Sequence, residues 1–307
     1  MTGGLRAALA FVRLGRPQFL TGGFILYGLG AALATTAIDW RRYVWGQAAV
    51  TAIQLCTHYC NDYFDLAADR ANATPTRWSG GSRVLSGGEL PAWVALAAAL
   101  VLAATALLLA AVFAHDPDMP RGTAALVVLI LILAWEYSAP PLRLHSRGLG
   151  ELDTALVVAV MTPLLAGFVQ AGRVVAPVVL AALPIAAFQF AMLLAIEFPD
   201  AAGDAAAGKR TLVVRLGGAA SARLYQIVLI AAYGMLPVLV ACGLPARVAV
   251  AIGLTAPAAA WQLRRLRRGA WREPARWESL GFVAVAMVGI ASALALAAAL
   301  SLMDRRP

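Results

Sequence analysis

The segment HYCNDYFDLAADR, residues 58–70, sets Asp62, Asp65 and Asp69 at i, i+3 and i+7. On a helix these lie on one stripe. The segment IEFPDAAGDAAAGKRTLVVRLG, residues 196–217, repeats the spacing with Glu197, Asp200 and Asp204. Six of the chain's sixteen acidic residues fall in these two sets. Like charges on one stripe repel, so each set needs a positive partner. Hard divalent cations with oxygen ligands are the direct answer. Mg2+ takes one or two carboxylates and completes its shell with water and phosphate oxygens. Bases stand beside both sets: Arg70, Arg77 and Arg83 after the first, Lys209 and Arg210 after the second. Arg grips phosphate through two parallel hydrogen bonds and Lys acts as a point charge. Carboxylates with bases fit a metal–phosphate site better than a bare metal site. The candidate metal ligands are Asp62, Asp65, Asp69, Glu197, Asp200 and Asp204. Any one of them, taken alone, reads equally well as a solvated helix-end acid or a partner for a nearby Arg. The repeated spacing, with bases beside each set, weighs against that for the sets together.

The elements that carry these residues follow from composition. The chain has 307 residues, 61% hydrophobic and 13% charged, with mean hydropathy +0.76. Soluble domains carry roughly 25% charged residues. Long charge-free stretches run at 17–38, 43–61, 90–114, 122–135, 154–172, 174–196, 224–246, 248–263 and 279–303. A bilayer-spanning helix needs about 20 apolar residues. The expectation is an all-α, polytopic membrane protein of nine transmembrane helices, one domain over 1–307. The stretches are too long for barrel strands and show no period-2 alternation. Residues 1–17 carry Arg6, Arg13 and Arg16 and are read as the lead into a retained first helix, not a cleaved signal. Both acidic sets close apolar spans, the second and the sixth. Spans four apart with matched motifs suggest an internal duplication.

Orientation follows from the basic residues. Over nine spans, eighteen of the 25 Lys and Arg fall on the side of the N-terminus and seven on the other. The positive-inside rule then puts the N-terminus and both acidic sets in the cytoplasm and the C-terminus outside, in the inner membrane of a bacterium. The net charge of +9 is accounted for by loops facing anionic lipid and calls for no nucleic acid. The run RRLRR at 264–268 reads as a topology and lipid anchor. Cys56 and Cys60 flank His58 one turn apart; small residues packed inside a membrane helix explain them, and no disulfide framework is implied. Gln54 and Gln189 lie within spans, where they line a cavity or bridge helices.

At the two acidic motifs the chain resembles the UbiA-type intramembrane prenyltransferases. The first motif reads Asn61-Asp62-Tyr63-Phe64-Asp65, extended to Asp69. The second reads Asp200-Ala-Ala-Gly-Asp204, followed by Gly208-Lys209-Arg210-Thr211-Leu212 and Arg215-Leu216-Gly217. GRP at 15–17, YSAPPLRL at 137–144 and GLGE at 148–151 match as well. The resemblance implies nine helices around a central cavity that is open sideways to the lipid. It implies Mg2+ between the motifs, holding a prenyl diphosphate. Asp62, Asp65, Asp200 and Asp204 would direct the metals, with Asn61 and Asp69 in support. Lys209, Arg210, Arg143 and Arg77 would face the diphosphate, and Tyr137 would lie near the reacting carbon. Two features depart from the pattern. Glu197-Phe198-Pro199 stands where many naphthoate-prenylating members carry Asn or Asp-like polar residues. Pro199 lacks a backbone donor and is expected to kink or end the sixth helix. Glu197 is then a metal ligand, an acceptor base or a partner for a loop Arg.

The implied reaction moves a prenyl group from a polyprenyl diphosphate to an aromatic acceptor. TRWSGGSRVLSGGELP, residues 76–91, resembles the menaquinone-type branch, whose acceptor is 1,4-dihydroxy-2-naphthoate-like. Hydroxybenzoate, homogentisate, chlorin and glycerol-lipid acceptors stay open. Haem is disfavoured, because His58, His115 and His145 offer no evident ligand pair. A secondary transporter or cation channel is the competing class, since intramembrane acids and broken helices also suit ion paths. The six acids sit at helix ends beside basic loops, which favours the enzyme.

Overall fold

Backbone groups in hydrocarbon must be satisfied within their own segment, so an apolar chain of this kind folds as helices. The computed structural model describes residues 3–303, and among them every regular element is helical. Arg305 and Arg306, counted above on the outer side, lie outside the described residues. In chain order the helices begin with α1 (Gly3–Leu14), α2 (Pro17–Ala34), α3 (Trp40–Phe64), α4 (Leu66–Ala71), α5 (Ala92–His115) and α6 (Thr123–Glu136). Then α7 (Gly150–Thr154) passes through a π-helical stretch into α8 (Thr162–Ala171), and α9 (Ala176–Glu197) is followed by the short α10 (Ala201–Ala206) and α11 (Leu212–Leu216). The last third holds α12 (Gly218–Gly234), α13 (Leu236–Ala241), α14 (Ala246–Gly253), α15 (Ala256–Arg267) and α16 (Pro274–Met303).

Six helical rods are long and apolar enough to cross a membrane: α2, α5, α7–α8, α9, α12–α13 and α16. The other three predicted spans are helical too, but each falls short for a visible reason. α3 is 25 residues long yet carries Arg41, Arg42, Gln47, Gln54, His58 and Asn61. α6 has 14 residues. α14 and α15 are separate helices interrupted at Leu254-Thr255.

Two sequence expectations are revised. The basic lead before the first span folds as α1, which buries Ala10 and Leu14 and exposes Leu5, Leu9, Phe11 and Val12. Gly15 and Arg16 then turn the chain, and Pro17 opens α2, a position where proline's missing N–H costs nothing. Arg264, Arg265 and Arg267 are the last turn of α15 rather than a loop. There their charge complements the carbonyl end of the helix, and Arg265 stacks 4.5 Å over Trp261.

Buried side chains form two clusters. One is built from α9, α12–α16 and parts of α2 and the π-helical stretch. The other is built from α1, α3, α5, α6, α8 and the remaining face of α2. The first acidic motif thus ends a helix of one half and the second a helix of the other. The halves meet along α2 and α8, where Gly30 lies so close to the Pro163 backbone that a Cβ would overlap it. Backbone cannot yield as a flexible side chain does. Gly30→Ala is therefore expected to destabilise by about 1–3 kcal/mol, seen as a lower unfolding midpoint in detergent. Gly22→Ala, whose methyl meets no other group within 4 Å, serves as the control and should match or exceed the parent.

Candidate metal and diphosphate site

The two motifs are built alike. α3 stops at Phe64, Asp65 follows, and α4 carries Asp69 in its first turn. α9 stops at Glu197, Pro199 prevents continuation, Asp200 immediately precedes α10 without a side-chain capping bond, and Asp204 lies in its first turn. Pro199 thus ends the helix rather than kinking it. The short helices α4 and α10 pack against each other, so the acids of distant segments share one end of the bundle.

One lysine joins them. Lys209 Nζ lies 3.0 Å from Asp65 Oδ2 and 3.1 Å from Asp204 Oδ1, with only 6% of the residue exposed. Asn61 Nδ2 donates to the same Asp65 oxygen at 2.6 Å and to Ser138 Oγ at 3.0 Å. Arg16 pairs with Asp62 and donates to Asn61 Oδ1 at 3.2 Å. The Ser82 hydroxyl and N–H also donate to Asp62. Asp200 accepts from Asn72 Nδ2 at 2.6 Å and from the Gly80 N–H at 3.1 Å. Gly81, at φ +73°, faces the Asp69 carboxylate where any Cβ would overlap it, and a positive φ also favours glycine. The segment between α4 and α5 is thereby folded over both motifs. Its glycines let backbone come within bonding distance of the acids.

A second layer lies behind. His145 Nε2 is 3.1 Å from Glu197 Oε1, and its Nδ1 is 3.7 Å from Asp65 Oδ2. Tyr137 stacks on His145 with ring centroids 4.8 Å apart. Glu197 therefore meets His145 rather than a loop Arg, and its Oε2 is buried without a partner.

The electrostatics divide the carboxylates. Burial would raise Asp65, but Lys209 and His145 hold it well below the usual carboxylate range. Burial would lower Lys209, yet Asp65 and Asp204 raise it further. Burial and Lys209 would lower His145, but its bond to Glu197 and the nearby Asp65 carboxylate bring it up to about 9, which favours its protonated form. Asp69 is pushed up to about 7 by burial, against the pull of Arg16 and with added repulsion from Asp62, Asp65 and Asp200. Asp200 is pushed up to about 7 by burial and by Asp204. Two carboxylates at this end thus lack the positive charge that would hold them ionised.

Oxygen donors with uncompensated negative charge suit a hard divalent cation. Among the described residues, no three His, Cys, Asp or Glu side chains are already gathered into a ligating cluster. Arg16 and Lys209 occupy the inner carboxylates instead, so a bound cation would have to share or displace those pairs.

The remaining predicted residues are less drawn in. Arg77 is exposed and stacks 5.4 Å over Trp78. Arg210 is exposed, its N–H donating to Ser146 O. Arg143 is half-buried at φ +49°, and its Nε has no partner. Arg16, Ser82, Asn72 and His145 were not singled out from sequence, although GRP at 15–17 contains the first. Beneath the acids lies a cavity of about 270 Å³, near the low end of the roughly 300–1,000 Å³ of small-molecule sites. Arg16, Asn61 and Tyr137 line it toward the acidic end, and Leu26, Ile53 and Ile130 are among its apolar walls. Gln54 and Gln189 both line it, and Gln54 also bridges to Phe19 O at 2.7 Å.

The profile of the UbiA prenyltransferase family matches residues 23–285. The chain belongs to that family. UbiA proteins are prenyltransferases, and this chain is an enzyme of that class in an all-helical membrane fold. Solved structures agree in fold. A UbiA homologue from Archaeoglobus fulgidus bound to DMAPP and Mg2+ matches at TM-score 0.66 and 16% identity, over 96% of this chain and 99% of that one. A digeranylgeranylglyceryl phosphate synthase matches at 0.65 and 17%, over 96% and 99%. An apo UbiA homologue from Aeropyrum pernix K1 matches at 0.62 and 18%, over 88% and 97%. No curated protein sequence matches the chain.

Two outcomes are expected of this UbiA site. Lys209→Ala would strand two buried carboxylates, a loss of about 3–5 kcal/mol, measurable as a fall in thermal stability. Asp69 and Asp200 have folded values raised above the unfolded carboxylate value. Their contribution to stability is therefore present at low pH and lost as pH rises through about 7. A cation that needs them ionised reverses this. The Mg2+-induced rise in melting temperature should grow between pH 6 and pH 8, and a shift that is flat or falls with pH would contradict the assignment.

Proposed function

We propose that this UbiA protein transfers a prenyl group from a polyprenyl diphosphate to an aromatic acceptor, with Mg2+ as cofactor. The observation that carries the reading is the Lys209 bridge between Asp65 and Asp204. It unites acids from two distant motifs directly above an apolar cavity. The Mg2+ and DMAPP bound by the Archaeoglobus homologue, and the GPP and Mg2+ of a second structure of it, support the choice of ligands. Family membership sets aside the transporter or channel alternative.

In this reading Asp62, Asp65, Asp69, Asp200 and Asp204 hold the cation, with Asn61 orienting Asp65 and Glu197 acting from behind through His145. Bound Mg2+ would stabilise the charge that grows on the diphosphate as its bond to carbon breaks. Lys209 and Arg16, released from their carboxylates, are cations within reach of the same phosphates. Arg143, Arg210 and Arg77 supply further positive charge from the loops. Tyr137, fixed by its stack on His145, stands at the mouth of the cavity where the allylic carbon would lie. Apolar walls keep water from quenching the allylic cation. An electron-rich ring then attacks and loses a proton, or carbon dioxide where the attacked position carries a carboxyl.

The finer assignments belong to the same proposal. The nine helical rods all cross the bilayer as one domain over 1–307. The N-terminus and the site face the cytoplasm of a bacterial inner membrane, as the basic residues indicate. The acceptor is 1,4-dihydroxy-2-naphthoate-like, which the character of residues 76–91 favours over 4-hydroxybenzoate.

Membranes carrying the protein, given prenyl diphosphate, Mg2+ and a panel of acceptors, should yield a prenylated product by mass spectrometry. Asp62→Ala and Asp204→Ala should each lower that yield at least about 100-fold and abolish Mg2+-dependent binding of a diphosphate analogue. No product from any acceptor, or variants as active as the parent, would overturn the reading.

A further inference from the structure

Asp153 is the one acidic side chain on the cavity wall that the proposed reaction leaves unused. It sits on α7, one turn below the first residues of that helix, and is 6% exposed. Its carboxylate faces the cavity shared by Tyr137 and Asn61. Among the described residues its carboxylate has no ion pair and no side-chain hydrogen bond, and the nearby His145 is already committed to Glu197. A carboxylate at membrane depth without a partner is expensive, and such residues mark the place of a ligand. Of the neighbouring acids, Asp62 has Arg16 and Ser82, Asp65 and Asp204 have Lys209, and Asp200 has Asn72. Glu151 and Asp69 also lack a side-chain partner among the described residues, but neither lines the cavity.

The rest of the wall indicates what the ligand brings. Arg16 is the one Arg or Lys lining the cavity among the described residues, and it is paired with Asp62. Across from α7, His58 on α3 lines the same space, and its Nε2 is buried without a partner. Gln189 on α9 lines it as well. An isoprenoid tail has no polar atoms to satisfy these groups. The wall asks for a compact ligand with hydrogen-bond donors.

We propose that Asp153 is the acceptor-recognising residue, and that it accepts a hydrogen bond from a ring hydroxyl of the acceptor. The inference rests on the prenyl-transfer reading and names the end of the acceptor that enters the cavity first. A carboxylate selects a donor and repels another carboxylate, so an acceptor that also carries a carboxyl turns that group away from Asp153. Drawing the hydroxyl proton toward Asp153 pushes electron density into the ring, which strengthens it as a nucleophile toward the allylic carbon. A hydrogen bond to a charged group, left buried and unpaired when its partner is missing, discriminates strongly between ligands that have the donor and ligands that lack it.

The test uses the full-length protein in lipid nanodiscs, loaded with Mg2+ and a non-hydrolysable prenyl thiodiphosphate. Binding of naphthalene-1,4-diol and of its dimethyl ether is measured on the parent, Asp153→Asn and Asp153→Leu. The parent should prefer the diol by roughly 10- to 100-fold. Asp153→Leu should lose that preference while the ether binds as before, and Asp153→Asn, whose amide oxygen still accepts, should keep part of it. Unchanged thiodiphosphate binding in both variants reports an intact fold and donor site. Variants that hold the diol as tightly as the parent, or a parent indifferent between diol and ether, would overturn the role of Asp153. Failure of the parent to bind the thiodiphosphate with Mg2+ is a separate result; it removes the prenyl-transfer reading and this inference with it.

Discussion

The architecture depends on a buried cation held between carboxylates from two parts of the chain separated by more than a hundred residues. Lys209 is taken out of water, and its desolvation is offset only because Asp65 and Asp204 both reach it. A buried pair gains little over an apolar substitute, but removing one partner is severe. Such a contact does not explain why the protein is stable. It explains why α3 and α9 end side by side, since any other arrangement of the two halves leaves charges stranded. Arg16 plays the parallel part for Asp62 and ties the start of α2 to the same point.

Around that contact the polar atoms form layers. The segment from Asn72 to Ser82 closes over the acids through its amide, hydroxyl and backbone donors. The His145–Glu197 pair lies behind them and fixes the ring of Tyr137 by stacking. Below, the wall turns mostly apolar, with a few polar groups such as Gln54, Gln189 and Asp153. A charged head group and an apolar tail therefore find opposite environments a few ångströms apart. Much of the negative charge is internally compensated, but Asp69 and Asp200 are not, and that imbalance gives a divalent cation a reason to bind.

The two halves of the core also bear on the matched motifs. Each half contributes one long helix that ends in an acidic motif and one short helix after it. The α3–α4 and α9–α10 units are alike in order and in the placement of their acids. Repeated units facing each other across a shared cavity are a common way for membrane proteins to build a site. Away from the site the two halves differ in their helices: α14–α15 is interrupted, and α7–α8 contains a π-helical stretch.

Apolar length and the positions of proline determined the helices, because backbone in lipid has few alternatives. Paired spacing picked out the two acidic sets, but each set straddles a helix break, between α3 and α4 and between α9 and α10, instead of lying along one helical stripe. Pro199 marked the end of α9 correctly for a local reason, its missing backbone donor. α1 escaped notice, since a short amphipathic helix carrying two arginines does not resemble a span. The roles of Arg16, Ser82 and His145 escaped it too, because those residues lie far in sequence from the acids they meet. So did the isolation of Asp153: a residue's lack of partners is a property of everything packed around it. Sequence alone decided which residues carry charge and which segments are helical. The tertiary structure alone decided which charges neutralise one another and which are left facing the cavity, because Coulomb and hydrogen-bond energies fall off over a few ångströms and depend on the contacts that folding makes.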